Sequence, residues 1–405
     1  MAQPARVRVE RLRESGSATT LELFFDLVFV FALTQITALM ADEPTGRGLL
    51  KGTLLILVVW WCWVGYSWLS NLVKADEGVT RLTMLVAMAA MFLLALAIPE
   101  AFDDIDGGLW GPTVFAFSYL VLRLAHVLLF WVISKDDPVL RRQVGRFAPT
   151  MVGGTVLLLL AGNTSGDAQL LLWLAAVVAD YGGTLAIGAR GWRLNSARHF
   201  AERHGLMVII ALGESIVAIG VGVTHLAISW PIVVAATLGL AVSASLWWAY
   251  FDTAAILGEQ ALASAKGDHR VSMARTAFTY LHLPMMVGIV MLALGMKKVL
   301  TYVGDTGHHA LSDPLYGAPL WALFGGVALY LLAHVGFAWR CFRAFKTYRF
   351  GLAVVLLALV PAVANLPALA TLGVLSALLI TLNVVESVVF RTARDEARHS
   401  DHEHH

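Results

Sequence analysis

The sequence predicts an all-α polytopic membrane protein, and three observations predict it. Apolar runs of roughly 20 residues recur along the chain, each long enough as a helix to cross a ~30 Å hydrocarbon core. Only 14% of the 405 residues are charged against 58% hydrophobic, and mean hydropathy is +0.73, outside the range of ordinary soluble domains. The 29 Lys and Arg alternate between the segments that join those runs. Arg47, Lys51, Lys297 and Lys298 fall in outer segments and Arg123 within a run; the rest share the side of the N-terminus. A missed or invented span would scramble that alternation, so the positive-inside rule predicts about twelve transmembrane helices with both termini cytoplasmic.

Runs and breakers place the spans at 21–40, 50–73, 81–99, 110–134, 147–162, 169–189, 203–223, 229–257, 273–296, 315–340, 349–364 and 367–390. The first follows a basic segment, 1–20, with Arg6, Arg8, Arg11 and Arg13, and no Ala-x-Ala cleavage site precedes a short apolar region, so no cleaved signal peptide is expected. The second is dense in aromatic residues (Trp60, Trp61, Trp63, Tyr66, Trp68), and Trp61 and Trp68 share a face that could line a cavity, or pack in the core or against lipid. Arg81 opens the third. Asp103-Asp104-Ile105-Asp106-Gly107-Gly108 separates it from the fourth, and Asn163–Asp167 separates the fifth from the sixth. The fifth and eleventh look short and are read as tilted, broken or re-entrant. Glu202-Arg203-His204-Gly205 stands at the inner interface before the seventh, Pro284 kinks the ninth, and Asp313-Pro314 precedes the tenth.

The two halves echo each other. Phe-Val-Phe-Ala-Leu-Thr-Gln (29–35) aligns with Val-Ile-Ile-Ala-Leu-Gly-Glu (208–214), and Trp60-Trp61-Cys62-Trp63 with Trp247-Trp248-Ala249-Tyr250. Arg81 matches Arg275, Ala125-His126-Val127 matches Ala333-His334-Val335, and Arg146-Phe147 matches Arg349-Phe350. In order and at matching depths, these pairs predict two parallel six-helix repeats, 21–190 and 203–390, joined by a cytoplasmic linker, 191–202, and followed by a tail, 391–405. Binding sites in such frames commonly lie near the midplane, where the repeats meet.

Ionisable side chains inside the spans are the candidate functional residues, because a charge at bilayer depth costs at least ~2.5–3.5 kcal/mol. Glu22 and Asp26, four apart on one helical face, could share a proton or a cation, or lock a neighbouring helix. Glu214 lies in mid-membrane beside Gly213, as a proton carrier, a cation ligand or an interhelical hydrogen bond. Arg123 and His126 share a face of the fourth span, and Arg123 requires a carboxylate: Asp180, Glu214 or Asp26. Asp180 precedes Tyr181-Gly182-Gly183, a local weakness in its helix. His282 sits two residues before Pro284, and His334 is the repeat partner of His126; histidine as a residue type titrates near neutral pH, which makes the pair candidates for handling a proton. Asp252, Asn383 and Glu386 lie closer to the cytoplasmic interface. Cys62 and Cys341 fall at opposite depths and are not expected to pair.

The string Leu21-Glu22-Leu23-Phe24-Phe25-Asp26 through Gln35 closely resembles the signature of the low-temperature-requirement A (LtrA) family of bacterial membrane proteins. Glu202-Arg203-His204-Gly205-Leu206, an apolar run and Leu212-Gly213-Glu214 resemble that family's second recurring segment, E-R-x-G-L followed by L-G-E. His204 stands where an aromatic is more usual. The resemblance covers most of the chain and implies a multi-pass protein of the bacterial inner (plasma) membrane; the family name points to growth in the cold, a phenotype and not a mechanism.

Net charge is +1 and no GxxxxGK[ST], H-E-x-x-H, G-x-S-x-G or zinc-ligand spacing occurs, so the sequence predicts no enzyme, cofactor or metal and no nucleic-acid partner. The expected partners are the lipid bilayer and a small solute or ion. The leading expectation is a proton- or cation-coupled secondary transporter whose pathway uses Glu22, Asp26, Arg123, His126, Asp180, Glu214, His282 and His334. A cation channel is one alternative: Phe-x-Asp and the six-plus-six layout faintly resemble potassium channels with an F-S-D motif, though Phe25 replaces Ser and the second half lacks the motif. A non-transporting membrane scaffold or sensor is another.

Overall fold

A computed structural model describes Leu12, residues 16–224 and residues 226–389. The basic residues Arg6, Arg8, Arg11 and Arg13, the end of the last predicted span and the tail 391–405 lie outside the described residues. Every regular element among the described residues is helical: α1 (Thr20–Asp42), α2 (Gly46–Ser70), α3 (Gly78–Leu96), α4 (Gly111–Ile133), α5 (Pro138–Ala161), α6 (Gly166–Ile187), α7 (Ala197–Gly222), α8 (Trp230–Phe251), α9 (Ala254–Ser264), α10 (Gly267–Met273), α11 (Leu281–Gly304), α12 (Gly317–Phe342), α13 (Thr347–Val363) and α14 (Ala368–Val389). Among the described residues, eleven helical segments are long and apolar enough to cross a membrane, and α13, with 17 residues, is a shorter apolar helix.

Four boundaries differ from the sequence reading. The fifth segment is a 24-residue helix, not a short or broken one. Asp137 starts it, accepting the Leu140 and Val139 N–H groups, which holds that carboxyl below its ordinary range; Pro149 sits inside the helix without ending it. The eighth segment breaks after Phe251 and resumes as α9. The seventh begins at Ala197, within the stretch read as linker, with Ser196 as its cap: the Ser196 hydroxyl accepts the His199 N–H at 3.1 Å.

The ninth segment starts at Gly267 as α10 and passes through a π-helical turn, Ala274–Tyr280, into α11. Pro284 has no N–H to offer the turn before it. The Leu281 N–H reaches back to the Thr276 carbonyl, and the His282 ring Nδ1 meets the Ala277 carbonyl at 3.0 Å. Because α11 runs on to Gly304, Lys297 and Lys298 lie on a helix and not in an outer loop.

The chain divides into two compact units. One holds the chain to Ile36, Leu54–Arg203 and Ala265–Ser272; the other holds Thr37–Thr53, His204–Ser264 and the chain from Met273. In the first unit α3 packs on α4, α4 on α5 and α5 on α6. Tyr181 of α6 returns to α2, donating to the Leu57 carbonyl at 2.7 Å and lying 4.2 Å from the Trp61 ring. Tyr66 of α2 donates to the Leu122 carbonyl of α4 at 2.8 Å. Trp68 meets Phe200, ring centroids 5.0 Å apart, so Trp61 and Trp68 both pack against aromatic rings of neighbouring helices.

In the second unit α11 packs on α12, α12 on α13, α13 on α14, and α14 returns to α8. Asn383 of α14 donates to the Ser245 carbonyl of α8 at 3.1 Å, and Tyr330 of α12 donates to the Leu246 carbonyl at 2.9 Å. Glycines let α11 and α12 approach closely: a Cβ at Gly295 would lie 2.8 Å from Leu323 Cα, and one at Gly326 would lie 2.6 Å from the Gly288 oxygen. Cys62 and Cys341 are free and buried.

Candidate functional site

Thr19-Thr20-Leu21-Glu22 is a capping box that starts α1. The Glu22 Oε2 accepts the Thr19 N–H at 2.7 Å and the Thr19 hydroxyl at 3.0 Å, while the Glu22 N–H donates to Thr19 Oγ1 at 3.3 Å. One turn on, Asp26 points from the same face, and both carboxylates are buried. Arg203, fully buried on α7, bridges them: Nη1 lies 2.9 Å from Glu22 Oε1 and Nη2 donates to Asp26 Oδ1 at 2.7 Å. The Trp63 indole N–H of α2 donates to the same Asp26 oxygen at 2.8 Å, and its ring lies 5.5 Å from the guanidinium carbon.

His199, one turn before Arg203 and also buried, completes the arrangement with its Nε2 3.0 Å from Glu22 Oε1. Asn71, at the end of α2, fixes that ring. Its Oδ1 accepts the Asn195 and Ser196 N–H groups at 2.7 and 3.2 Å, so its amide nitrogen faces the other way. That nitrogen donates to the Ser196 carbonyl at 2.6 Å and to His199 Nδ1 at 3.3 Å. Two carboxylates, a guanidinium, an imidazole and an indole thus meet in one buried cluster.

A second cluster in this unit joins α4 and α6. Arg123 Nη2 donates to Asp180 Oδ1 at 3.3 Å, and the Tyr119 hydroxyl donates to the other oxygen of Asp180. Of the three partners the sequence left open for Arg123, Asp180 is the one found. Gly154 of α5 makes room, since a Cβ there would lie 3.1 Å from Asp180 Oδ2. The Phe147 ring lies 5.1 Å from the Arg123 guanidinium. His126 packs among Tyr66, Phe130 and Phe147, close enough to Gly65 that a Cβ there would sit 3.1 Å from its Nε2.

The remaining candidates belong to the second unit. Glu214 is buried on α7, beside Ser215, whose hydroxyl lies 2.8 Å from that of Ser243. Tyr250 donates to His282 Nε2 at 2.8 Å, because His282 Nδ1 is spent on the Ala277 carbonyl. Arg349 donates through Nη1 to His334 Nδ1 at 2.7 Å and through Nε and Nη2 to Glu386 at 2.9 and 2.7 Å. A groove of about 560 Å³ between α8 and α14, lined by Ser245, Trp248, Asn383 and Ser387 among others, includes none of the eight candidate residues.

The sequence reading missed Arg203, His199, Trp63, Asn71, Tyr119 and Arg349. Arg203 and Arg349 were counted among basic residues that set orientation; both are buried in ion pairs. The signal that could have found Arg203 is the ratio of acids to bases in the first span, where Glu22 and Asp26 require a cation that no residue of the same span provides.

The family model described as bacterial low temperature requirement A protein (LtrA) matches residues 17–384. Among curated relatives, Uncharacterized protein RA0937 of Rhizobium meliloti (strain 1021) is 28% identical over 391 residues, covering 93% of this chain and 90% of that protein. Both signature blocks, Glu22–Asp26 and Arg203–Glu214, fall inside the matched region, and the chain belongs to the bacterial low temperature requirement A (LtrA) family.

Proposed function

We propose that this LtrA protein is a multi-pass transporter of the bacterial inner membrane that couples a small solute to a proton or cation at the Glu22–Asp26–Arg203 cluster. One observation carries the reading: two buried carboxylates share one guanidinium. An uncompensated buried charge costs several kcal/mol, so the cluster invites one further positive charge from solution. Taking up that charge weakens the hold of Asp26 on Arg203 and Trp63, and so the tie between α1 and α7. A ligand that prefers one state of that tie shifts the population between them.

The reading includes twelve spans, with α13 as the short eleventh, both termini cytoplasmic, and two parallel repeats. Each unit supports the repeats by its own packing. Four consecutive spans pack in succession, the last returns to the Trp-rich helix, and a Tyr of that helix lies near the aligned histidine: Tyr66–His126 at 5.5 Å and Tyr250–His334 at 5.6 Å. The scaffold reading draws on a different observation, that Glu22 is spent on a helix cap and an ion pair. Purified protein in proteoliposomes separates these. With a mixture of small solutes supplied outside the vesicles, dissipation of an imposed pH or cation gradient at carrier rates supports the proposal, single-channel currents select the channel, and no flux with any gradient overturns it.

A further inference from the structure

Within the proposed coupling cluster, and resting on that reading, we infer that the coupling ion is a proton and that its binding atom is Asp26 Oδ2. Asp26 is fully buried; its Oδ1 takes both Arg203 and Trp63, while Oδ2 has no hydrogen-bond partner. A buried oxygen left unpaired carries its full desolvation cost.

The groups facing Asp26 are Glu22 on its own helix, Trp63 on α2, and Arg203 and His199 on α7. Glu22 is an unsuitable proton acceptor, because Oε2 already accepts two hydrogen bonds from Thr19 and Oε1 faces Arg203 and His199. His199 is also unsuitable. Asn71 is oriented by two backbone N–H groups and presents an N–H to His199 Nδ1, which must therefore keep its lone pair. The imidazole is thus held neutral with its proton on Nε2, donating to Glu22, and Asn71 is its positioning residue. With His199 neutral, the cluster has two negative charges and one positive, and the empty lone pairs of Asp26 Oδ2 are where a proton balances it.

A metal cation fits this place badly. Alkali and alkaline-earth ions need several oxygen ligands, whereas Asp26 is flanked by an indole N–H and a guanidinium, which are donors only. Among the described residues no three His, Cys, Asp or Glu are grouped to hold a metal. The step is simple in its balance: a hydronium ion gives a proton to Oδ2, an O–H bond forms and water is left, and the reverse transfer returns the proton.

The test is an infrared pH titration of the full protein in lipid, with carbon-13 in the carboxyl groups of Asp or of Glu. The expected result is a protonated-carboxyl C=O band that shifts with labelled Asp but not with labelled Glu. It disappears in Asp26→Asn, persists in Glu22→Gln, and is indifferent to sodium or potassium at fixed pH. The label restricts the band to an Asp in wild type, and its persistence in Asp180→Asn, the other buried Asp among the described residues, excludes Asp180 even where Asp26→Asn fails to fold. A band that follows labelled Glu, one that sodium or potassium abolishes, or none at any pH overturns the inference. Gradient flux in proteoliposomes with no such band would leave transport standing and remove the proton site; the band without flux would do the reverse.

Discussion

At the scale of single residues, Arg203 is the hinge of the first cluster. Replacing it by Met leaves Glu22 and Asp26 facing each other in a dry interior, and the expected loss is about 3–5 kcal/mol. Thermal unfolding in detergent checks it, with partial recovery expected when Asp26→Asn and Glu22→Gln are added. A similar argument applies to Arg123 and Asp180. Arg123→Met and Asp180→Leu should each be strongly destabilising alone, while the double variant costs less than their sum because no charge is stranded. Equal additivity in that cycle would mean the pair is not coupled. The four-residue spacing of Glu22 and Asp26 and the need of Arg123 for a carboxylate were legible in the sequence, since both follow from helix geometry and burial cost. Arg203 and Asn71 were not, because their partners lie 177 and about 125 positions away and only the fold brings them together.

At the scale of elements, the close contact of α11 with α12 depends on glycine. Gly295→Ala sets a methyl 2.8 Å from a backbone Cα that cannot step aside, and it should cost about 1–3 kcal/mol in thermal stability. Gly325→Ala, on α12 with nothing within 4 Å of the new Cβ, is the matched control and should be neutral or slightly stabilising. Comparable losses in the two variants would show that the glycine contact is not what holds these helices. Hydropathy placed nearly every long helix but misjudged where helices continue through polar residues. Arg141, Arg142 and Arg146 set the start of the fifth predicted span at 147, yet all three lie within α5, and the π-turn before Pro284 left no periodic signature.

At the scale of the whole molecule, the alternation of Lys and Arg predicts that both termini face the cytoplasm. Green fluorescent protein fused to either end should fluoresce in a bacterial host, and alkaline phosphatase at the same positions should be inactive; the opposite pattern at one end would require an odd number of spans. Membrane character was legible because composition and run length are properties of the chain itself. What the buried charges do was legible only as cost, because their pairing depends on the fold. If Asp26 couples the protein to an ion gradient, proton flux into proteoliposomes under an imposed pH gradient, with a mixture of small solutes supplied, depends on that side chain. Wild-type protein should collapse the gradient and folded Asp26→Asn should leave it at the rate of protein-free vesicles; an Asp26→Asn variant that collapses it as fast as wild type would contradict the claim.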